Sequence, residues 1–309
     1  MRPLKFHPIL KQTLWGGERI IPYKELASGL SRVGESWELS GMPGSESVVA
    51  EGPWAGSTLS ELIGRFGAEL LGKANYARFG QEFPLLVKFI DAREDLSIQV
   101  HPDDELARKR HGKSGKCEMW YVLEAEPGAS LLTGFSRPIA PAEYERRVAD
   151  NTLTDVLNRQ AIASGDVFYL PAGRVHSIGK GSFIVEIQQS SDITYRIYDF
   201  DRRDAAGNSR ELHTELAREA IDFESSENSR ITYAPENNQE VRLVTTPYFT
   251  TSLYTLTART RCDWSATDSF VAIVLLQGSG SLTDNEGNRI DVRQGETWLL
   301  PASTQWTEI

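Results

Sequence analysis

The chain has 309 residues, 40% of them hydrophobic, which is enough to bury the core of one large or two smaller globular domains. Its formal net charge of -10, with no long basic run, excludes nucleic acid as an expected partner. No apolar run approaches the roughly 18 residues that span a bilayer, and no secretory signal precedes the first strand, so we expect a cytoplasmic protein without membrane segments.

Segments rich in β-branched and aromatic residues predict a mainly β protein. Each is bounded by glycine, proline or charged residues. They predict strands at residues 85–90, 119–123, 167–170, 183–187 and 271–276.

Helical signals are fewer and predict short insertions between the strands. Thr58 and Glu61 have the spacing of a capping box, apolar residues then recur at helical intervals, and Gly72 can close the helix. Three further short helices are predicted to begin near Pro141, Asn151 and Thr214, the last one ending at about residue 221.

A polar stretch at residues 223–240 loses apolar periodicity and predicts a linker or long loop. We therefore divide the chain into an N-terminal domain at residues 1–225 and a C-terminal domain at residues 226–309. The C-terminal part contains no histidine and predicts a poor metal site.

Two segments share glycine, an acidic residue, an apolar run and Pro-Ala at the same offsets: residues 165–177 and 295–307. The first resembles the second conserved motif of the cupin superfamily, in which a strand, a tight turn and a second strand present a histidine, here His176. In the second copy Trp306 replaces that histidine. The resemblance implies two cupin-type jelly-roll barrels, of which the second is degenerate and has a packing or dimerising role.

Candidate metal ligands are spread over three segments. Gln99 and His101 are two residues apart on a predicted strand and so project to one face, and Glu118 begins the next strand. With His176 they form a set of two imidazoles, one carboxylate and one amide oxygen, which suits a single Zn²⁺ ion. The only cysteines, Cys117 and Cys262, offer no thiolate knuckle.

The motifs Gln-x-His-Pro-Asp, Lys-x-Glu-Met and Pro-x-Gly-x2-His-Ser occur in this order, from residue 99 to residue 177. Together they resemble the signature of type I phosphomannose isomerases, in the compact bacterial form. The likeness extends from Trp15-Gly16-Gly17 to residues 188–199. Where longer members of that family usually have Lys-Pro-Glu, this chain has Lys116-Cys117-Glu118, which leaves the ligand intact.

The resemblance implies a zinc-dependent isomerase that interconverts mannose 6-phosphate and fructose 6-phosphate through an enediol. It assigns Arg196 and Lys116 to catalysis, and Ser97, Lys88 and Arg202 to substrate binding. Candidates for the proton shuttle are Glu186, Asp192 and His101, and sequence does not choose among them.

Two other functions remain open at this point. A cupin oxygenase would also bind a divalent metal, although a His-x-His pair is more usual there than Gln99 with His101. A non-catalytic sugar-binding cupin is favoured by the degenerate second barrel, but the complete ligand set in the first barrel argues against it.

Overall fold

The computed structural model describes residues 1–224 and 228–309. The predicted boundary between residues 225 and 226 lies outside these ranges. In the N-terminal part the strands are β1 (Leu4–Lys5), β2 (Ile9–Gly17), β3 (Val33–Met42), β4 (Ser45–Glu46), β5 (Leu85–Ala92), β6 (Ile98–Val100), β7 (Glu118–Ala125), β8 (Ser130–Phe135), β9 (Leu157–Ala161), β10 (Val167–Leu170), β11 (His176–Ile178), β12 (Ser182–Gln189) and β13 (Tyr195–Tyr198). Those that follow are β14 (Arg230–Ile231), β15 (Val241–Thr245), β16 (Thr250–Leu253), β17 (Arg261–Asp263), β18 (Val271–Val274), β19 (Ser279–Asp284), β20 (Arg289–Arg293), β21 (Thr297–Leu300) and β22 (Trp306–Glu308).

Short helices connect the strands of the N-terminal part. They are α1 (Ile20–Tyr23), α2 (Leu59–Phe66), α3 (Ala68–Leu71), α4 (Lys73–Phe79), α5 (Asp104–His111), α6 (Pro141–Ala149) and α7 (Thr214–Ala220), with a 3-10 turn at Leu153–Val156. The prediction of a mainly β protein with short helical insertions is confirmed. None of the helices in the described ranges has the length and apolarity needed to cross a membrane.

The predicted helix ends differ in two places. The Thr58–Glu61 capping box is present, but α2 stops at Phe66 because Gly67 adopts a positive φ of 50°, and α3 then runs separately to Gly72. Asn151 does not cap the third helix. Its φ is 54°, and the 3-10 turn starts two residues later without a side-chain cap.

Two sheets dominate the N-terminal part. One has the strand order β14-β10-β7-β12-β5-β2-β3-β4, and the other has the order β13-β6-β11-β8-β9. Apolar side chains from both sheets meet in one buried cluster, which includes Trp120 and Phe168 from the first sheet and Leu131 and Ile178 from the second. Burial of each such side chain stabilises the fold by about 1.5–3 kcal/mol, so the two sheets are held face to face.

The C-terminal part has smaller sheets, ordered β1-β21-β18, β15-β16 and β17-β22-β19-β20. Between the first and the last of these sheets lies a buried cluster of Leu282, Ile290, Val292, Trp298 and Leu300. The two ends of the chain are joined, because β1 pairs with β21, and the buried Lys24 ammonium binds both Glu38 and the Gly295 carbonyl.

Both copies of the repeat fold as a strand, a turn and a second strand. The first copy contains β10 and β11, and the second contains β21 and β22. Gly165 and Gly295 occupy the same place and have φ values of 89° and 78°, which residues with a side chain rarely adopt. His176 begins β11 and Trp306 begins β22, so the substitution seen in the sequence occurs at one structural position.

Candidate metal centre and active site

The five-stranded sheet aligns three of the predicted site residues in a row. In the antiparallel register Gln99 on β6 is opposite His176 on β11 on one side, and opposite Arg196 on β13 on the other. Directly opposed residues of antiparallel strands project their side chains from the same face. The register of the three strands therefore places the side chains in a row, in the order Arg196, Gln99 and His176.

The eight-stranded sheet contributes a second set. Glu118, the first residue of β7, is opposite Gln188 on β12. Two residues away on β12, Glu186 lies between Trp120 on β7 and Lys88 on β5. Because side chains alternate along a strand, Glu118 and Trp120 face the same way. This sheet thus carries a row of charged side chains.

The two sets meet at a buried cluster of His101, Glu118 and His176. One ligand atom from each residue lies within 4.8 Å of the others, and all three side chains are at most 2% exposed. His176 Nε2 is 3.1 Å from Glu118 Oε1, and His101 Nε2 is 3.6 Å from Glu118 Oε2. Two imidazole nitrogens and a carboxylate at this separation could hold one divalent ion.

Backbone carbonyls orient both imidazoles. His101 Nδ1 lies 2.7 Å from the Ile193 carbonyl oxygen, and His176 Nδ1 lies 2.8 Å from that of Arg174. A carbonyl only accepts, so each Nδ1 carries the proton and each Nε2 presents its lone pair towards Glu118. This is the arrangement that metal-ligating histidines adopt.

The protonation states suit metal binding. Burial lowers the pKa of His176 to about 4 and that of His101 well below its ordinary value, so both rings are neutral near pH 7. Burial raises the pKa of Glu118, while the neighbouring Lys116 ammonium, 2.9 Å away, opposes this. His101 Nε2 and Glu118 Oε1 are buried without a hydrogen-bond partner within the described residues, and burial of such polar atoms is costly unless a further group, such as a metal ion, binds them.

Gln99 lies at the edge of this cluster. Its Nε2 is 3.3 Å from His176 Nε2, and its Oε1 accepts a hydrogen bond of 3.2 Å from the buried Ser97 hydroxyl. Rotating the terminal amide by 180° would exchange the two atoms and direct the oxygen towards His176. Gln99 thus lies beside His176, and Ser97 contacts Gln99.

Lys88 and Glu186 form a buried ion pair next to the cluster. Lys88 Nζ lies 2.8 Å from Glu186 Oε2, and the Trp120 indole donates a hydrogen bond of 3.1 Å to Glu186 Oε1. Burial opposes ionisation of Glu186, but the Lys88 and Lys116 charges and these hydrogen bonds outweigh it and hold the pKa of the carboxyl well below its usual range. A carboxylate so strongly stabilised is a poor proton acceptor near pH 7.

Arg196 is half-buried at the end of the row. Its guanidinium donates a hydrogen bond of 3.1 Å to the Glu211 carbonyl, and its Nε is buried without a hydrogen-bond partner in the described part of the chain. Burial and the nearby Arg210 charge lower the pKa of Arg196. The side chain thus keeps a donor available for a further acceptor.

Two predicted residues have other partners. Asp192 is half exposed and lies 3.0 Å from Lys113 Nζ, which also faces solvent. Arg202 pairs with Asp199 at 3.3 Å and donates to the Asp95 carbonyl. Among the described residues no contact joins either side chain to the histidine cluster.

Sequence reasoning did not single out Trp120, Asp104 and Gln189. Trp120 follows Glu118 by two residues, so strand alternation could have placed it on the same face. Asp104 and Gln189 act on backbone groups of the segment before Glu118. No side-chain pattern signals such contacts in advance.

Comparisons with known proteins agree with this geometry. The family model described as phosphomannose isomerase type I, catalytic domain, matches residues 4–132. The chain is 34% identical over 303 residues to mannose-6-phosphate isomerase ManA of Bacillus subtilis, covering 97% of this chain and 93% of the relative, and 33% identical over 302 residues to mannose-6-phosphate isomerase of Streptococcus mutans, covering 97% and 92%. The crystal structure of the mannose 6-phosphate isomerase from Bacillus subtilis superposes with a TM-score of 0.89 at 30% identity, covering 100% of this chain and 96% of the other. The chain therefore belongs to the type I phosphomannose isomerase family.

Proposed function

We propose that this chain is a mannose-6-phosphate isomerase, a metal-dependent aldose-ketose isomerase that interconverts mannose 6-phosphate and fructose 6-phosphate through an enediol. The observation that carries the proposal is the buried cluster of His101, Glu118 and His176 in a member of this family. The named activity of the relatives favours isomerisation over an oxygenase or a non-catalytic sugar-binding role.

We propose Zn²⁺ as the metal, one per chain, with Gln99 as the fourth ligand. Two neutral imidazoles, one carboxylate and an amide oxygen match the ligands that this borderline ion accepts, and no thiolate lies in the cluster. The buried His101 Nε2 and Glu118 Oε1, which have no hydrogen-bond partner among the described residues, support this fit. A bound divalent ion would act as a Lewis acid on the carbonyl and hydroxyl oxygens at C1 and C2 of the sugar.

The cationic side chains are proposed to bind the phosphorylated substrate and to stabilise developing negative charge. Lys116, whose ammonium lies 2.9 Å from Glu118, and Arg196, which is opposite Gln99 in the five-stranded sheet, are assigned to catalysis. Lys88 and Arg202, together with the neutral Ser97, are assigned to substrate binding. In a site this well buried, a fixed positive charge stabilises an oxyanion far more than it would in water. The chain's net charge of -10 does not oppose this, because these charges act at short range.

The proton shuttle is proposed to be a group other than Glu186. Its carboxylate is held by Lys88 and Trp120, and we assign it to keeping the Lys88 ammonium in place. His101 would use Nε2 as a ligand while its Nδ1 donates to a carbonyl. Asp192, the third candidate, pairs with the exposed Lys113 and has no contact with the cluster among the described residues, so we do not assign the proton shuttle to it.

We further propose that the two groups of sheets correspond to two cupin-type jelly-roll barrels, with a catalytic domain at residues 1–225 and a degenerate domain at residues 226–309. The strand-turn-strand form of both repeat copies supports this division. The apolar filling around Trp298 supports the packing role of the second barrel, and a dimerising role stays a prediction.

The deciding experiment measures fructose 6-phosphate formed from mannose 6-phosphate by the purified wild type, after chelation and after zinc is restored, beside His176→Ala. Activity should vanish on chelation, return with zinc and be absent in the variant. His7→Ala is the matched control, because His7 is an exposed histidine far from β11 in the sequence. A zinc-loaded wild type that forms no fructose 6-phosphate would contradict the proposal.

A further inference from the structure

A buried amide lies directly behind the segment that carries Lys116 and Glu118. The Gln189 side chain is only partly accessible, with the residue 5% exposed, and it belongs to the end of β12. Its Oε1 accepts a hydrogen bond of 2.9 Å from the backbone N–H of Cys117, and its own backbone N–H donates to the Cys117 carbonyl at 3.2 Å. Both backbone polar groups of Cys117, the residue between Lys116 and Glu118, are therefore hydrogen-bonded to Gln189.

The same amide reaches the segment that follows His101. Gln189 Nε2 donates a hydrogen bond of 3.1 Å to Asp104 Oδ1, and this oxygen also accepts from the Gly115 N–H at 2.9 Å. Asp104 begins α5, only three residues after His101. One carboxylate oxygen thus joins the His101 segment, the Gly115 turn and β12.

The turn before Glu118 fits closely against that helix start. A Cβ on Gly115 would lie 2.4 Å from the Asp103 carbonyl carbon, so no side chain fits there. The Lys116 N–H donates to the Pro102 carbonyl at 3.1 Å, which continues the same contact. The backbone of Lys116 and Glu118 is therefore positioned by contacts with the residues around Asp104.

A residue of the C-terminal part completes the network. The Tyr248 hydroxyl, in the turn between β15 and β16, donates a hydrogen bond of 3.3 Å to Asp104 Oδ2. This gives the part of the chain without metal ligands a direct contact with the residues that position the ligand segments.

We propose that Gln189 and Asp104 are positioning residues that set the Lys116-Cys117-Glu118 segment against His101, and so tune metal affinity and turnover. The inference rests on the proposed metal-dependent function. Outer hydrogen-bond partners of metal ligands commonly change metal affinity or activity by about 10- to 100-fold when they are removed. The backbone N–H at position 117 is the group on which Gln189 acts, and a proline there would lack it.

The test measures zinc affinity by competition with a chromophoric chelator, without substrate, together with kcat and KM for mannose 6-phosphate and the melting temperature of the metal-free protein. Gln189→Leu and Asp104→Ala should each weaken zinc binding by about 10-fold or more and lower kcat by a similar factor. Asp104→Asn keeps an acceptor for Gly115 and Gln189, and Cys117→Ala keeps the backbone N–H, so both should remain within about threefold of the wild type.

A double variant isolates the hydrogen bond. Cys117→Pro removes the N–H and leaves Gln189 Oε1 buried without its donor, so adding Gln189→Leu should cost less than it does in the wild type, because only the hydrogen bond to Asp104 remains to be lost. Gln189→Leu variants that lose only melting temperature, with zinc affinity and kcat of the wild type, would overturn the inference. Full additivity with Cys117→Pro would also overturn it.

The outcomes separate this inference from the proposed function. A wild type that binds zinc but forms no fructose 6-phosphate contradicts the isomerase activity, while the zinc affinities of the variants still decide the role of Gln189. A wild type that binds no zinc would overturn the metal centre and this inference together.

Discussion

Glu186 Oε2 lies 2.8 Å from Lys88 Nζ across a pair of antiparallel strands, and the two residues are 3% and 7% exposed. A buried pair of this kind gives little net stability, but removal of one partner leaves an uncompensated charge in the interior. Substitution of either residue should therefore lower the stability of the fold as well as disturb the site.

Glu186→Gln is expected to lower the free energy of unfolding by about 3 kcal/mol at pH 7, because the Lys88 ammonium loses its carboxylate. Urea unfolding followed by tryptophan fluorescence measures this. Glu35→Gln is the control, since Glu35 lies 3.8 Å from the same ammonium and is more exposed, and its loss should be smaller. Equal losses of unfolding free energy in the two variants would contradict the conclusion that Glu186 is the main partner of Lys88.

The same pair predicts a pH dependence. The folded-state pKa of Glu186 is below its unfolded value, so its contribution to stability is complete above about pH 4.3 and is lost as the pH falls through the folded pKa. The difference in unfolding free energy between wild type and Glu186→Gln should therefore be constant from pH 7 to pH 5 and shrink below about pH 4. If the difference shrinks instead as the pH rises from 5 to 7, the folded-state pKa of Glu186 is not below its unfolded value, and the prediction is wrong.

Arg196→Ala should lower kcat on the order of 100-fold, because a fixed charge is removed from the side of the proposed reaction centre. Steady-state kinetics on mannose 6-phosphate measures this after zinc content has been matched to that of the wild type. Arg210→Ala serves as the control, since Arg210 pairs with Asp199. A turnover number within a few-fold of the wild type would argue that Arg196 is only structural.

Asp192→Asn is expected to leave kcat within about threefold of the wild type, because an exposed ion pair such as the one with Lys113 contributes little. A loss of 100-fold or more, with unchanged zinc content, would instead identify Asp192 as the proton shuttle. The pH profile of kcat/KM in this variant would then lose one of its two limbs.

Chelation should destabilise the folded protein. A ligand that binds only the native state at 1,000 times its dissociation constant adds about 4 kcal/mol to the unfolding free energy, so removal of zinc should lower Tm by several degrees. Differential scanning calorimetry with and without chelator measures the change. His176→Ala should show no response to the chelator, and a response equal to that of the wild type would place the metal elsewhere.

Much of this architecture was predictable from local pattern. The β-branched runs gave strands β5, β7, β10 and β12 nearly to their ends, and the Thr58–Glu61 pair gave the start of α2, since these signals depend on neighbours in the sequence. Helix α5 was missed because its residues Asp104–His111 are almost all charged and show no apolar stripe. Its signals lie at the helix ends: the Asp103 cap, which accepts from the Leu106 N–H, acidic residues in the first turn, basic residues in the last turn, and Gly112 at the C-cap.

The site was predictable to a similar degree. Gln99, His101, Glu118 and His176 could be selected because three motifs resemble those of the family, and strand alternation adds support only for Gln99 with His101. Gln189 could not, because its role depends on a backbone N–H that becomes its neighbour only when β12 pairs beside β7. The partners of Asp192 and Arg202 likewise depend on the conformation of loops, which sequence periodicity does not predict.

The row of Arg196, Gln99 and His176 has a consequence for how this chain can change over evolution. Their spacing is determined by hydrogen bonding between β13, β6 and β11, and the connection between β8 and β9 that carries α6 does not enter into it. Insertions or deletions in that connection should preserve the chemistry. A one-residue slip in any of the three strands would turn a side chain of the row to the opposite face, and activity would be lost without any substitution at the site.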